Sequence, residues 1–168
     1  MYRLAAWIVG GLIASAGAIV VATSTGLPPR VASHFAADGR ANGWMSREAY
    51  VGMMATMSLA MPFAIWIAAT WLPRRWPRLV NVPFRDYWLA PERREATLAR
   101  LARMGAWMAL LGAALVAAIH VEVVLANRRV PPAAGDTMGW VTGLFAAAIA
   151  ALVVATAWRF RVPKGARR

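Results

Sequence analysis

Residues 49–72 read AYVGMMATMSLAMPFAIWIAATWL, a stretch without one charged side chain. A helix needs about 20 residues to cross the roughly 30 Å hydrocarbon core of a bilayer. This stretch is long enough, and Leu4–Thr23, Met104–Val121 and Thr137–Trp158 are uncharged runs of the same kind. Lipid offers no partner to backbone N–H and C=O groups, so a segment that crosses it closes its hydrogen bonds internally as a helix. The four runs therefore predict an all-α membrane protein, a four-transmembrane-helix bundle. With their flanks, the helices are expected over about 4–23, 47–72, 91–126 and 137–160 of a single domain spanning 1–168. That leaves outer loops at 24–46 and 127–136 and an inner loop at 73–90.

Composition agrees. Hydrophobic residues make up 60% of the 168, and mean hydropathy is +0.50. Soluble domains run at about 45–50% apolar, and one small core does not bury the excess. With no cysteine, disulfides, Cys-ligated zinc and thiol catalysis are excluded. The net charge of +12 would suggest nucleic acid in a soluble protein. Here the basic residues lie between and beyond the apolar runs, which points to membrane topology and anionic headgroups, with no nucleic-acid partner. The first run, after Arg3, has the outline of a signal peptide. It exceeds the usual apolar length of about 7–15 residues and no A-x-A site closes it, so an uncleaved helix is expected.

Orientation follows from the basic residues. Fourteen of the 19 fall on one side: Arg3, the eight arginines between the second and third runs, and the tail from Arg159 to Arg168. Five fall on the other. The positive-inside rule then gives both termini in the cytoplasm. Tyr2, Trp7, Trp71, Trp76, Trp107 and Trp158 fall near the inner boundary, and Trp44, Tyr50 and Trp140 near the outer one, where amphipathic rings are favoured.

Local signals refine this layout. Pro28-Pro29 stops the first helix, and Asp38-Gly39 and Asn42-Gly43 are turn dipeptides in a compact outer loop. Ser46 suits an N-cap, with Glu48 in the first turn. Met53, Met57 and Met61 read as packing, and Pro62 as a bend. Pro73, Pro77 and Pro83 exclude one continuous helix in the inner loop, while Pro91 suits a helix start before the membrane. Asn127 and Pro131-Pro132 end that helix. Gly139 and Gly143 form GxxxG, which serves either packing within the chain or a homodimer.

Ionisable groups inside membrane helices invite a functional question. His120 and Glu122 qualify, near the outer end of the third helix and about 200° apart around it. The outer loop adds His34, Asp38 and Trp44. These five are the ligand-binding candidates. His34 and His120 are the metal candidates, since imidazole and carboxylate hold zinc, but the spacing matches no ligand motif. The plainer reading has His34 hydrogen-bonded within the loop and Glu122 paired with Arg128 or Arg30. On the inner face Arg74, Arg75, Arg78, Arg85 and Trp88 are candidates for contact with lipid or a cytosolic partner. P-loop, HExxH, GxGxxG and nucleophile motifs are absent, and neither a cofactor nor an enzymatic activity is expected.

The stretch LPPRVASHFAADGRANGWMSR resembles a bacterial membrane domain, domain of unknown function 1648, through Leu27, Pro28, His34, Phe35, Gly39, Gly43, Trp44, Ser46 and Arg47. The resemblance covers about 24–65. NVPFRDYWLAPERRE is similar to the inner loop of proteins bearing this domain, through Asn81, Pro83, Arg85, Asp86, Trp88 and Pro91. The domain occurs in the SdpI family of membrane immunity proteins, which protect a cell from a secreted toxic peptide. The founding member of that family holds a cytosolic regulator at the membrane. The resemblance implies a related sensing, binding or immunity role in the bacterial cytoplasmic membrane. The further C-terminal helices of SdpI-like proteins have no counterpart among these four. A small transporter or transporter subunit is the alternative, and a metal-dependent membrane enzyme the third reading.

Overall fold

The computed structural model describes residues 2–161. Lys164, Arg167 and Arg168 of the basic tail lie outside the described residues, as do the side chains of Tyr2 and Arg3. In chain order the elements are α1 (Tyr2–Thr23), β1 (Arg30–Phe35), β2 (Ala41–Ser46), α2 (Arg47–Thr70), α3 (Leu72–Arg75), α4 (Arg85–Trp88), α5 (Pro91–Asn127) and α6 (Asp136–Arg159). Four of the helices are long and apolar enough to cross a membrane. They run within a few residues of the expected bounds. This is a multi-pass membrane protein.

The all-α expectation needs one correction. The loop at 24–46 holds a two-stranded antiparallel sheet, with Arg30 opposite Ser46 and Phe35 opposite Ala41. Asp38-Gly39 makes the turn: Gly39 has φ +82°, and the Asp38 carboxylate accepts from the Arg40 N–H at 3.0 Å. Any Cβ at Gly39 would also meet the Ala134 carbonyl at 3.3 Å. Asn42-Gly43, expected as a second turn, lies inside β2 instead. Gly43 sits opposite His34, where the register slips, and a Cβ there would press on the His34 side chain at 2.9 Å. Glycine here serves a close cross-strand approach.

Met53, Met57 and Met61, read as packing, are exposed on α2, while several other local readings hold. Ser46 caps α2 by accepting from the Ala49 N–H at 3.2 Å, with Glu48 in the first turn. α2 continues through Pro62 to Thr70. The segment after it breaks into two short helices and a turn, as its prolines require. Pro91 opens α5.

Helices in lipid gain little from hydrophobic burial against one another, so close packing of small residues carries their association. Ala109 and Ala113 are buried on α5, and Gly105 lies so near Ala69 of α2 that no Cβ would fit. Gly17 of α1 admits the Leu59 side chain in the same way. α1, α2 and α5 thus form a tight three-helix unit. α6 lies against α5 and has no buried residue. Its Gly139 and Gly143 face open space, with nothing within 4 Å of an added Cβ, so GxxxG is not used for packing within the chain.

The bundle has two distinct ends. At one, the hairpin folds over the helices and places Leu27 and Val31 on a cluster with Val20, Tyr50, Val116 and Val123. At the arginine-rich end, Val80 of the loop and Phe160 beyond α6 close a second cluster with Leu98 and Leu101. α5, at 37 residues, runs from one end to the other, about 55 Å at 1.5 Å per residue.

Candidate functional site

Three links hold the hairpin end of the bundle together, one between helices and two that fasten the hairpin to them, and they shape the surface beside it. The deepest is His120 on α5, fully buried and stacked on Tyr50 with ring centroids 5.7 Å apart. Its Nδ1 lies 2.9 Å from the Tyr50 hydroxyl and its Nε2 lies 2.8 Å from Thr23 Oγ1. The one hydroxyl proton of Thr23 goes to the Ile19 carbonyl at 2.6 Å. Thr23 therefore accepts from Nε2–H, Nδ1 carries the lone pair, and the Tyr50 hydroxyl donates to it. One neutral imidazole ties α1, α2 and α5 together, and neither ring nitrogen is left for a metal.

The second link is Asn127, the last residue of α5. Its Oδ1 accepts from the Ala32 N–H and its Nδ2 donates to the Ala32 carbonyl, both at 2.9 Å. A side-chain amide thus pairs with the buried stretch of β1 as a neighbouring strand would. The third lies at the tip. Gly39 accepts from the Ala134 N–H at 2.8 Å, and Arg40 bridges to Ala133, which joins the turn to the α5–α6 connection.

Beside this tip a groove of about 570 Å³ opens between the hairpin turn and the start of α6. Asp38 and Gly39 form one wall; Asp136, Gly139, Thr142 and Gly143 form the other. Asp38 is held by an exposed ion pair with Arg40 at 3.6 Å. Asp136 has no ion-pair partner among the described residues. Two carboxylates facing a concave, partly apolar surface favour a cationic group between them, with the glycines giving an extended ligand close access to the backbone.

The sequence candidates are divided by this arrangement. Asp38 lines the groove. His34 is exposed on β1, its Nδ1 at 3.1 Å from Ser33 Oγ. Trp44 is exposed on β2 with the Arg30 guanidinium 5.7 Å from its ring centre. Glu122 accepts from Thr137 Oγ1 at 2.8 Å, not from Arg128 or Arg30, and so links α5 to the first turn of α6. Among the described residues no three His, Asp or Glu side chains are grouped to hold a metal ion, so His34, Asp38, His120 and Glu122 do not converge. Asp136, Asn127, Tyr50 and Thr23 were not singled out from the sequence for these roles.

At the other end, Arg74 donates to the Thr70 carbonyl at 2.8 Å and lies 3.6 Å from Glu95. Arg75 lies over Trp76 at 5.7 Å, Arg85 pairs with Asp86 at 3.7 Å, and Arg78 is exposed. Trp88 is turned inward: its indole N–H donates to the Phe160 carbonyl at 2.9 Å and its ring meets Phe160 edge-on. It fastens the loop to Phe160, just beyond α6.

No family model matches the chain, and neither a curated protein nor a solved structure is similar to it at a significant level.

Proposed function

We propose that this is a non-enzymatic protein of the bacterial cytoplasmic membrane, both termini inside, that binds a cationic extracytoplasmic peptide in the groove between the hairpin tip and α6. The carrying observation is the pair Asp38 and Asp136 on opposite walls of that groove. The count of basic residues on the two sides supports the orientation, and the resemblance of 24–65 to domain of unknown function 1648 supports a sensing or immunity role of the SdpI kind. α5 carries the signal. It begins among the arginines at one end and holds the hairpin through Asn127 at the other. A ligand that favours one seating of the hairpin biases the tilt of α5, and with it how Arg74, Arg75, Arg78 and Arg85 are presented to a cytosolic regulator. Only a difference in affinity between the two seatings drives such a shift.

The test uses a tetralysine peptide and the purified protein in nanodiscs. Binding is expected, and Asp38→Asn with Asp136→Asn weakens it by about tenfold, the range for two exposed ion pairs. Asn at 38 still accepts from the Arg40 N–H, so the turn survives. Equal binding by the double variant and the parent protein removes the groove from the proposal.

A further inference from the structure

The arginine-rich end carries a second hollow, independent of the outer groove. It measures about 440 Å³ and lies between the starts of α1 and α5 and the end of α2. Ala6, Val9, Trp66, Ala99, Ala102 and Ala106 make its walls apolar, and Arg74, Glu95 and Arg103 stand at its mouth. Its size falls in the range of ligand pockets, roughly 300–1,000 Å³. A smaller hollow of about 340 Å³ continues from it, sharing Arg74 and Glu95 and adding Arg94. Glu95 is taken up by Arg74 at 3.6 Å. Arg94 and Arg103 have no carboxylate partner among the described residues.

The occupant must therefore be apolar along its length and anionic at one end. The alanines leave a slot between three helices that otherwise pack tightly, in a bundle that crosses lipid. Water gains nothing there, and a peptide has no unpaired backbone groups to meet. We infer that this hollow is a binding site for one anionic phospholipid of the adjoining leaflet. One acyl chain lies along Ala99, Ala102 and Ala106, and the phosphate lies at Arg103, which lines the same hollow. Basic clefts between membrane helices take anionic headgroups in this manner. The bound chain fills the gap that the small residues leave between α1, α2 and α5. The inference rests on the bundle's crossing of the bilayer and not on the peptide groove.

The experiment is native mass spectrometry of the full chain after delipidation and reconstitution with equal dioleoyl phosphatidylglycerol and dioleoyl phosphatidylcholine. One lipid is expected to stay bound, with phosphatidylglycerol preferred by about fivefold for each arginine that meets it. Arg103→Gln lowers that preference by about fivefold, while Arg159→Gln, at the same end but away from the hollow, leaves it unchanged. Ala102→Phe fills the slot and removes both lipids. Should that variant not fold, the exposed Arg103→Gln still decides. Glycerol phosphate, which has the headgroup charge and no chain, does not displace the lipid. Equal retention of the two lipids by the parent protein overturns the site, and so does an Arg159→Gln loss equal to that of Arg103→Gln.

Discussion

Replacing His120 with leucine lowers the stability of the bundle by about 2–5 kcal/mol, although the two side chains differ little in bulk. The cost comes from what is left behind. The Tyr50 hydroxyl is almost fully buried, and its acceptor is His120 Nδ1 at 2.9 Å. Without it, a buried donor is unsatisfied at about 1–3 kcal/mol. The link from Nε2 to Thr23 is lost as well, at about 1–2 kcal/mol for a hydrogen bond between membrane helices. Thr23 itself keeps the Ile19 carbonyl. Tyr50→Phe in the same chain removes the orphaned hydroxyl, so the double variant is expected to be no less stable than His120→Leu alone. Unfolding by dodecyl sulfate in mixed micelles measures all three proteins. Simple additivity of the two single losses contradicts the hydrogen-bond assignment.

Replacing Asn127 with alanine releases the hairpin and leaves the bundle standing. Both backbone groups of Ala32 lose their partner at once, at a residue with no exposed surface. About 2 kcal/mol is a conservative sum for two such groups, equivalent to about 30-fold in a local opening equilibrium. Hydrogen exchange at the Ala32 amide is expected to accelerate by at least that factor, while amides in the middle of α2 and α5 keep their rates. An exchange rate at Ala32 that does not change with Asn127→Ala means that the hydrophobic seating of Leu27 and Val31 alone holds the strand.

The spanning helices were legible because charge-free runs and prolines act locally. Each is decided by a bilayer's thickness or by a missing N–H, and neither needs a partner elsewhere in the chain. Ser46 and Pro91 were legible for the same reason. The hairpin was not. Val31 and Ala32 are neighbours and both buried, which breaks the two-residue alternation that marks a strand. The end of α5, whose Asn127 pairs with Ala32, covers the second of the two, and Asn42-Gly43 lies within β2 beside the slip at His34.

The candidate site was read less well, because its determinants are distant in sequence. His120 stood out as an ionisable group in an apolar run. Its partners lie 70 and 97 residues away, and no periodicity marks them. Asn127 looked like a helix terminator. That it also reaches Ala32, 95 residues away, depends on how the hairpin folds back. Asp38 was found through its loop, but Asp136, on the opposite wall of the groove, gains meaning only when α6 starts beside the turn.

Everything assigned to the hairpin depends on which face of the membrane it occupies, and a chain free of cysteine makes that measurable. Asn42→Cys and Arg78→Cys, both at exposed positions, each introduce a single thiol. In intact spheroplasts a membrane-impermeant maleimide is expected to label Cys at 42 and to reach Cys at 78 only after permeabilisation. Labelling at 78 with protection at 42 would place the hairpin in the cytoplasm and contradict both the orientation and the peptide-binding role.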